Sequence, residues 1–91
     1  PATLQERFDE AETPLDNLDV IAEALEDDLS LGGRLLHSFL SDDETPPFCK
    51  SSAHGMMVEK LGEDFGYVPD GSDNIEALAA LETWLAERDA E

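Results

Sequence analysis

Residues 13–33 read TPLDNLDVIAEALEDDLSLGG, and this stretch sets the expectation for the fold. Its Pro14 suits the first position of a helix, because the N–H that proline lacks would have no partner there. Apolar side chains then recur at helical spacing, which places them in one stripe along the helix. These residues are Leu18, Ile21, Ala22, Leu25 and Leu29. The stretch therefore predicts an amphipathic helix from Pro14 to about Asp28.

Shorter helical signals lie on either side of this helix. Residues 3–6 have the spacing of a capping box, in which a Thr side chain accepts an N–H of the first turn. They predict a short helix that runs to about Glu12. A recurring apolar pattern predicts another helix over about 31–41. Because glycine weakens a helix interior, Gly32 and Gly33 are expected to break or bend the chain where this helix starts.

Prolines and glycines divide the second half of the chain. Residues 42–47 are predicted to be a loop, because two prolines cannot continue a helix. Ser51 or Ser52 is expected to cap the following helix, which ends at Gly66. The residues expected to share one face of that helix are His54, Met57, Val58, Leu61 and Phe65.

The last helix is predicted to follow a turn over residues 67–71 and to open at Asp73, three residues before Glu76. Its expected inward residues are Ile75, Leu78, Leu81 and Leu85, with Trp84 beside them. No segment alternates apolar and polar residues as a half-buried strand does. The sequence therefore predicts an all-α fold, a compact four-helix bundle or one with a short fifth helix at the N-terminus. We expect residues 1–91 to form a single domain.

The chain is strongly acidic, since its 91 residues carry 23 Asp and Glu against five Lys and Arg, for a net charge of −18. The charge is −9 over residues 1–33, −1 over residues 34–60 and −8 over residues 61–91. A surface of this sign repels nucleic acids and anionic membranes and attracts basic protein surfaces. We therefore expect a protein partner, and neither direct nucleic-acid binding nor membrane binding.

Three features of the sequence favour a cytoplasmic location. No apolar run approaches the ~20 residues that cross a bilayer, and the first residues are polar and acidic, unlike a signal peptide. Cys49 has no second cysteine with which to form an internal disulfide, which fits a reducing compartment.

The acidic side of the helix that begins at Pro14 is the first candidate binding surface. Steps of three or four residues place its carboxylates along one face, with a rise of ~4.5–6 Å per step. That spacing is similar to the ~3.4 Å charge repeat of a nucleic-acid strand, so the face is interpreted as a phosphate mimic or a docking ridge for Lys and Arg. The alternative interpretation is a solvated helix face. The proposed binding residues are Asp16, Asp19, Glu23, Glu26 and Asp27, to which the second acidic segment adds Asp70, Asp73 and Glu76.

Patterns typical of catalysis and metal binding do not occur in the sequence. It contains no G-x-S-x-G, no phosphate-binding loop and no C-x-x-C. The spacing of His37, Cys49 and His54 is not that of a zinc site. We therefore expect no catalytic, cofactor-binding or metal-binding residue and no enzymatic activity. Met56–Met57 and Trp84 are assigned to neither the core nor an interface.

Three families of small proteins resemble short parts of this chain. Residues 31–33 match the L-G-G of peptidyl carrier proteins, but no serine follows in place to carry a phosphopantetheine arm. Residues 67–71, which lead through acids into the helix of Trp84, are similar to the last third of colicin-nuclease immunity proteins. Residues 74–78 are similar to a segment of barstar-like inhibitors, whose fold includes a sheet that is not predicted here. The last two families are acidic inhibitors of basic proteins, and no family is assigned.

The leading hypothesis is a non-enzymatic acidic inhibitor that occupies a basic surface of a partner, one that normally holds nucleic acid. A nuclease, a DNA-binding protein or an RNA-guided defence complex would fit, with phages and mobile elements as sources. The alternative is the cytoplasmic helical domain of a halophile, whose acidity is an adaptation to salt and whose function is unrelated. Uneven charge along the chain favours docking over salt adaptation.

Overall fold

The computed structural model describes residues 3–69 and 74–89. These residues contain five helices. In chain order they are α1 (Leu4–Glu10), α2 (Pro14–Asp27), α3 (Leu29–Ser41), α4 (Pro47–Leu61) and α5 (Ile75–Asp89). No strand occurs in these two ranges. The prediction of a small all-α bundle is confirmed, in its five-helix form.

The first two helices begin where the sequence predicts. The Thr3 hydroxyl accepts the N–H of Glu6 at 3.1 Å, and the Thr13 hydroxyl accepts that of Asp16 at 3.2 Å. Pro14 occupies the first turn of α2. Both helices therefore start on a Thr cap, which satisfies a backbone donor that has no partner inside the helix.

The boundary between α2 and α3 lies at Asp28. This residue is the C-cap of α2 and the N-cap of α3, and its carboxylate oxygen accepts the N–H groups of Ser30 and Leu31 at 3.1 and 3.3 Å. The break expected at Gly32 and Gly33 is therefore wrong, because both glycines lie inside α3 and are buried.

Close packing explains why glycines stand inside α3. A β-carbon on Gly32 would lie 2.7 Å from the Cα and backbone N of Leu25 in α2. A β-carbon on Gly33 would lie 2.6 Å from Cδ2 of Leu85 in α5. The glycines let α3 approach both neighbours, and α3 also packs against α4. The loss of helix propensity at these positions is offset by packing.

Helix α4 differs from the prediction at both ends. It begins at Pro47, not at Ser51 or Ser52, because proline needs no hydrogen bond in a first turn. It ends at Leu61, and Gly62 follows with a left-handed φ of 84° that favours glycine. The predicted stop at Gly66 lies in the next turn. Phe65 therefore lies outside the helix, and Val58 is 43% exposed rather than inward.

In α5, Ala77, Leu81 and Leu85 are buried, whereas Ile75 is 76% exposed. Ile75 lies two residues before Ala77, which places it about 200° away around the helix. Its predicted inward position is therefore wrong. Leu78 and Trp84 are partly buried against the core, as are Met56 and the predicted stripe residues Leu18 and Leu29, while Met57 is fully buried. The predicted start at Asp73 and the end of the predicted 67–71 turn lie outside the described residues.

The core is a single cluster to which all helices except α1 contribute fully buried side chains. The α2 residues in it are Val20, Ile21, Ala24 and Leu25, so the buried side is turned slightly from the predicted stripe. The molecule is flat, with principal extents of 36 × 34 × 19 Å.

Alanine substitutions at the glycines test the packing of α3. Gly32→Ala should lower the free energy of unfolding by roughly 1–3 kcal/mol, the usual cost of overpacking. The reason is that the new β-carbon meets the Leu25 backbone rather than a mobile side chain. Gly55→Ala is the matched control, since Gly55 is an exposed residue inside α4 where a β-carbon would have no neighbour within 4 Å. It should raise stability by ~0.5–1 kcal/mol. Urea unfolding followed by circular dichroism measures both, and equal effects would contradict the packing explanation.

Candidate protein-interaction surface

The acidic side of α2 lies on the outside of the molecule, as predicted. Asp16, Asp19, Glu23, Glu26 and Asp27 are all exposed. They are turned outward because the opposite side of the helix is buried against α3 and α4. The predicted ridge therefore exists as a surface feature.

Two carboxylates of this ridge are paired with cations of the same chain. Arg7 Nη2 lies 2.8 Å from Glu23 Oε2, and Lys60 Nζ lies 3.7 Å from Glu26 Oε1. The hydrogen bond from Arg7 lowers the pKa of the Glu23 carboxyl. No cation of the described residues pairs with Asp16, Asp19 or Asp27. The charge that the ridge offers to a partner is thus smaller than the sequence suggests.

The second predicted acidic segment is only partly described. Asp70 and Asp73 lie outside the described residues, and Glu76 is exposed in the first turn of α5. Glu76 lines a concavity with Phe65 and Gly66. Glu26 and Asp27 line a different one, between α1 and α2. The two acidic segments are therefore not brought to one site by the described residues.

A cleft that sequence reasoning missed lies between α1, the start of α2 and the α3–α4 loop, with a volume of about 400 Å³. Its apolar walls include Phe8, from α1, and Phe39, from α3. Its carboxylates are Asp9, from α1, and Asp42 and Glu44, from the loop. We call this feature the acidic cleft.

Hydrogen bonds fix the walls of the acidic cleft. The side-chain amide of Asn17 donates to the Phe8 carbonyl at 2.8 Å and ties α1 to α2. The buried Thr45 hydroxyl donates to the Phe39 carbonyl at 3.0 Å and ties the loop to α3. Asp42 accepts the N–H of Glu44 at 2.9 Å, which sets the course of the loop.

The three carboxylates of the acidic cleft have no cationic partner among the described residues. The Gln5 side-chain amide donates to Asp9 at 3.1 Å, and this bond is neutral on the donor side. Asp9 stands more than thirty positions before Asp42 and Glu44, which belong to the segment of nearly zero net charge. Only the fold brings these groups together, so charge counts along the sequence could not reveal the cleft.

The carboxylates lie at the surface, and several cations are held by the chain itself. Every acid whose burial is described is exposed except Asp64, which is half-buried. Besides Arg7 and Lys60, the Arg88 guanidinium lies 5.4 Å from the ring centroid of Trp84, a cation–π contact. The Trp84 ring also contacts Phe65 edge-on and is partly buried against the core.

The soft and imidazole side chains do not converge. Cys49 is fully buried, and His37 Nε2 lies 3.9 Å from Glu82 on α5. His54 Nε2 lies 3.0 Å from Asp64 Oδ2. Across residues 3–69 and 74–89, no group of three or more His, Cys, Asp or Glu side chains is arranged to hold a metal ion.

The pair of His54 and Asp64 fastens the turn after α4 to that helix. Asp64 also accepts the N–H of Gly66 at 2.9 Å, and the His54 ring lies beside the buried Tyr67. The hydrogen bond from Gly66, followed by that with His54, lowers the pKa of the Asp64 carboxyl. Burial raises the pKa of the Tyr67 hydroxyl.

No described helix has the length and apolar character needed to cross a membrane. Comparisons of the chain with protein-family models, curated proteins and solved structures found no significant match.

The Asp64 contacts predict a pH-dependent contribution to stability. Because the pKa of Asp64 is lower in the folded state, this contribution is complete above the ordinary Asp pKa of ~3.9 and is lost as pH falls through the lower folded value. Asp64→Asn should therefore reduce Tm near pH 6 and have a smaller effect near pH 2.

Thermal melts of both proteins across this range measure the difference. Glu63→Gln is the control, since it removes a neighbouring exposed charge without a hydrogen bond in the described structure. A Tm difference for Asp64→Asn that stays constant down to pH 2 would contradict the role of ionised Asp64.

Proposed function

We propose that this protein is a non-enzymatic binding protein whose carboxylates cover a basic surface of a partner protein, one that normally holds nucleic acid. The observation that carries the proposal is the division of its charges. Acids are exposed, whereas Arg7, Lys60 and Arg88 are engaged by side chains of their own chain. A cationic protein surface would therefore meet carboxylates with few competing cations.

Electrostatics determines which partners such a surface selects. A net charge of −18 repels the phosphates of DNA and RNA and steers basic proteins toward the molecule. Strongly basic surfaces are typical of proteins that bind nucleic acids, because such proteins neutralise phosphates. A nuclease, a DNA-binding protein or an RNA-guided complex fits this description, and inhibition follows if the same surface cannot hold nucleic acid at the same time.

The unpaired acids of α2 provide the contact residues outside the acidic cleft. Asp16, Asp19 and Asp27 are exposed, and no cation of the described residues neutralises them. Glu23 and Glu26 already pair with Arg7 and Lys60. Exchanging these cations for cations of the partner would add less binding free energy than forming a new ion pair. The docking ridge is therefore best assigned to the three aspartates.

Salt adaptation is the second candidate, and a specific observation favours it. Exposed carboxylates occur on α1, α2, α4 and α5 and in the α3–α4 loop, so they are not confined to one element of the fold. Proteins that work in molar salt spread acids over their surface regardless of activity. In that case the acidity would say nothing about a partner.

Charge reversal on α2 tests the docking proposal. The partner is first isolated by affinity capture from the native host at low salt, and its affinity is then measured with purified proteins. The double variant Asp19→Lys with Asp27→Lys should weaken binding by several kcal/mol if the contacts are partly desolvated, since such close pairs couple at ~1.5–7 kcal/mol. Duplex DNA should compete for the partner, and affinity should fall as salt rises.

A matched control separates the face from the net charge. Glu59→Lys with Glu87→Lys makes the same change in charge at exposed positions on α4 and α5. It should reduce affinity only by the small amount expected of distant exposed charges, ~0–1 kcal/mol each. Equal losses in the two double variants, with circular dichroism unchanged, would show that α2 is only solvated surface.

Thermal melts at two salt concentrations distinguish docking from salt adaptation. At ~0.1 M salt the Debye length is about 10 Å, so repulsion between neighbouring carboxylates is largely unscreened. A docking protein from an ordinary cell should unfold cooperatively in this buffer. A protein adapted to molar salt should lose structure below about 0.5 M salt, where screening over a few Å is lost. Loss of the transition at low salt would contradict the docking proposal.

A further inference from the structure

We infer that the outer face of α4 binds the same face of a second copy of this chain. This inference goes beyond the proposed function and does not depend on it. Ala53 and Met57 lie on the buried side of the helix, and Gly55 is two residues from each, which places it about 200° away around the helix. The exposed residues on the side of Gly55 are Phe48, Ser51, Ser52 and Val58. We call these residues, together with Gly55, the α4 face.

The α4 face carries no acid, and burial within one chain does not account for this. Residues 45–58 contain no Asp or Glu, and Glu59 follows at the C-terminal end of the face. Helix α3 also lacks acids, but its exposed residues are only Arg34, Ser38 and Ser41. More than half of the residues of α4 are exposed. An exposed surface without charge is typical of the core of a protein interface.

Two large apolar side chains stand toward the ends of the α4 face. Phe48 is 64% exposed and Val58 is 43% exposed. They are ten residues apart, a distance of about 15 Å along the helix axis. Covering both side chains with another chain would remove apolar surface from water, which favours association. Aromatic residues such as Phe48 are also enriched in the cores of interfaces.

Gly55 is a glycine inside a helix for which packing within the chain gives no reason. A β-carbon at Gly32 or Gly33 would meet a neighbouring helix, whereas one at Gly55 would have no neighbour within 4 Å. Glycine is less favourable than alanine in a helix interior, and it permits the close approach of another backbone. A second helix that crosses at Gly55 would use this property, as α2 does at Gly32.

Charge selects a second copy as the occupant of the α4 face. In a symmetric dimer each chain presents the same surface to the other, so an acidic surface would place carboxylates opposite carboxylates. Such opposition is costly, and α1, α2 and α5 all expose acids. The α4 face lets two chains meet without it. A basic partner, in contrast, is attracted by carboxylates, which residues 45–58 do not offer.

An antiparallel crossing at Gly55 also accommodates the acid at the end of the face. Glu59 is four residues after Gly55, so in this crossing it lies beside Ser51 of the second copy, four residues before its Gly55. The two Glu59 residues are then about 12 Å apart along the helix axis. Each carboxylate can therefore meet a hydroxyl rather than its own symmetry mate.

The inference predicts a salt dependence opposite to that of docking. Each chain has a net charge of −18, so two copies repel each other, and salt screens this repulsion. The Debye length falls from about 10 Å at 0.1 M salt to about 3 Å at 1 M, and the dissociation constant of the dimer should fall roughly threefold or more. Sedimentation equilibrium between roughly 10 µM and 1 mM protein measures it, because a single helix face is small and gives a weak dimer.

Substitutions on α4 locate the contact. Phe48→Ser should raise the dissociation constant roughly tenfold, since it removes an aromatic anchor. Gly55→Gln should raise it by a similar factor, because the longer side chain prevents close approach. The same change should not lower Tm, because glutamine favours a helix more than glycine does.

Two valines of similar exposure provide a matched pair. Val58 is 43% exposed on the α4 face, and Val68 is 49% exposed outside that helix. Val58→Ser should raise the dissociation constant roughly threefold, since it removes apolar surface from the contact. Val68→Ser should leave the dissociation constant unchanged.

Three outcomes would overturn the inference, and none of them removes the docking function. The first is a chain that stays monomeric at every protein and salt concentration. The second is a dimer that persists in Phe48→Ser and Gly55→Gln, because association would then use another surface. The third is a monomeric chain in which Phe48→Ser weakens the partner isolated by affinity capture, which would assign the α4 face to that partner. A dimer that strengthens with salt and is lost in both variants supports the inference.

Discussion

The backbone of α2 comes so close to α3 at Gly32 that no β-carbon fits between them. The rest of the structure depends on this approach, because α3 packs against α2, α4 and α5 and is central among the described helices. Among the described helices, α3 is the one that contains no Asp or Glu. The acids thus lie on the surrounding helices and in the loops, where each carboxylate can remain in water.

This arrangement reconciles a net charge of −18 with a small core. Burying a carboxylate without a partner would cost several kcal/mol, and the described carboxylates avoid that cost by remaining exposed or half-exposed. What remains is mutual repulsion across the surface, which the few cations reduce locally, as Arg7 does at Glu23. At the other carboxylates the mutual repulsion remains, and a cation from outside the chain would reduce it.

Local signals in the sequence were sufficient for some elements. The Thr3 and Thr13 caps act within one turn, so the starts of α1 and α2 could be predicted. The start of α4 could have been found in the same way, since Pro47 suits a first helical turn as well as Pro14 does. Gly32 and Gly33 could not be placed correctly, because their position inside α3 depends on the approach of α2 and α5. Helix propensity alone favours a break there.

The candidate surface shows the same limit. The outward face of α2 follows from helical spacing, and it was predicted. The pairing of Glu23 with Arg7 depends on how α1 folds back on α2, and the acidic cleft depends on the meeting of α1 with the loop after α3. The net charge of residues 34–60 did not reveal this cluster, because the charges of Asp42 and Glu44 are offset in that sum by bases of the same segment.

The flatness of the molecule has a consequence for the area that it can offer. With extents of 36 × 34 × 19 Å, the broad sides are large relative to the thickness. A protein in an interface of standard size contributes about 800 Å² of its surface. One broad side of this plate is wide enough to carry a complete interface of that size, while the other side remains in contact with water. A chain of 91 residues can therefore shield an area on another protein comparable to that shielded by a much bulkier domain.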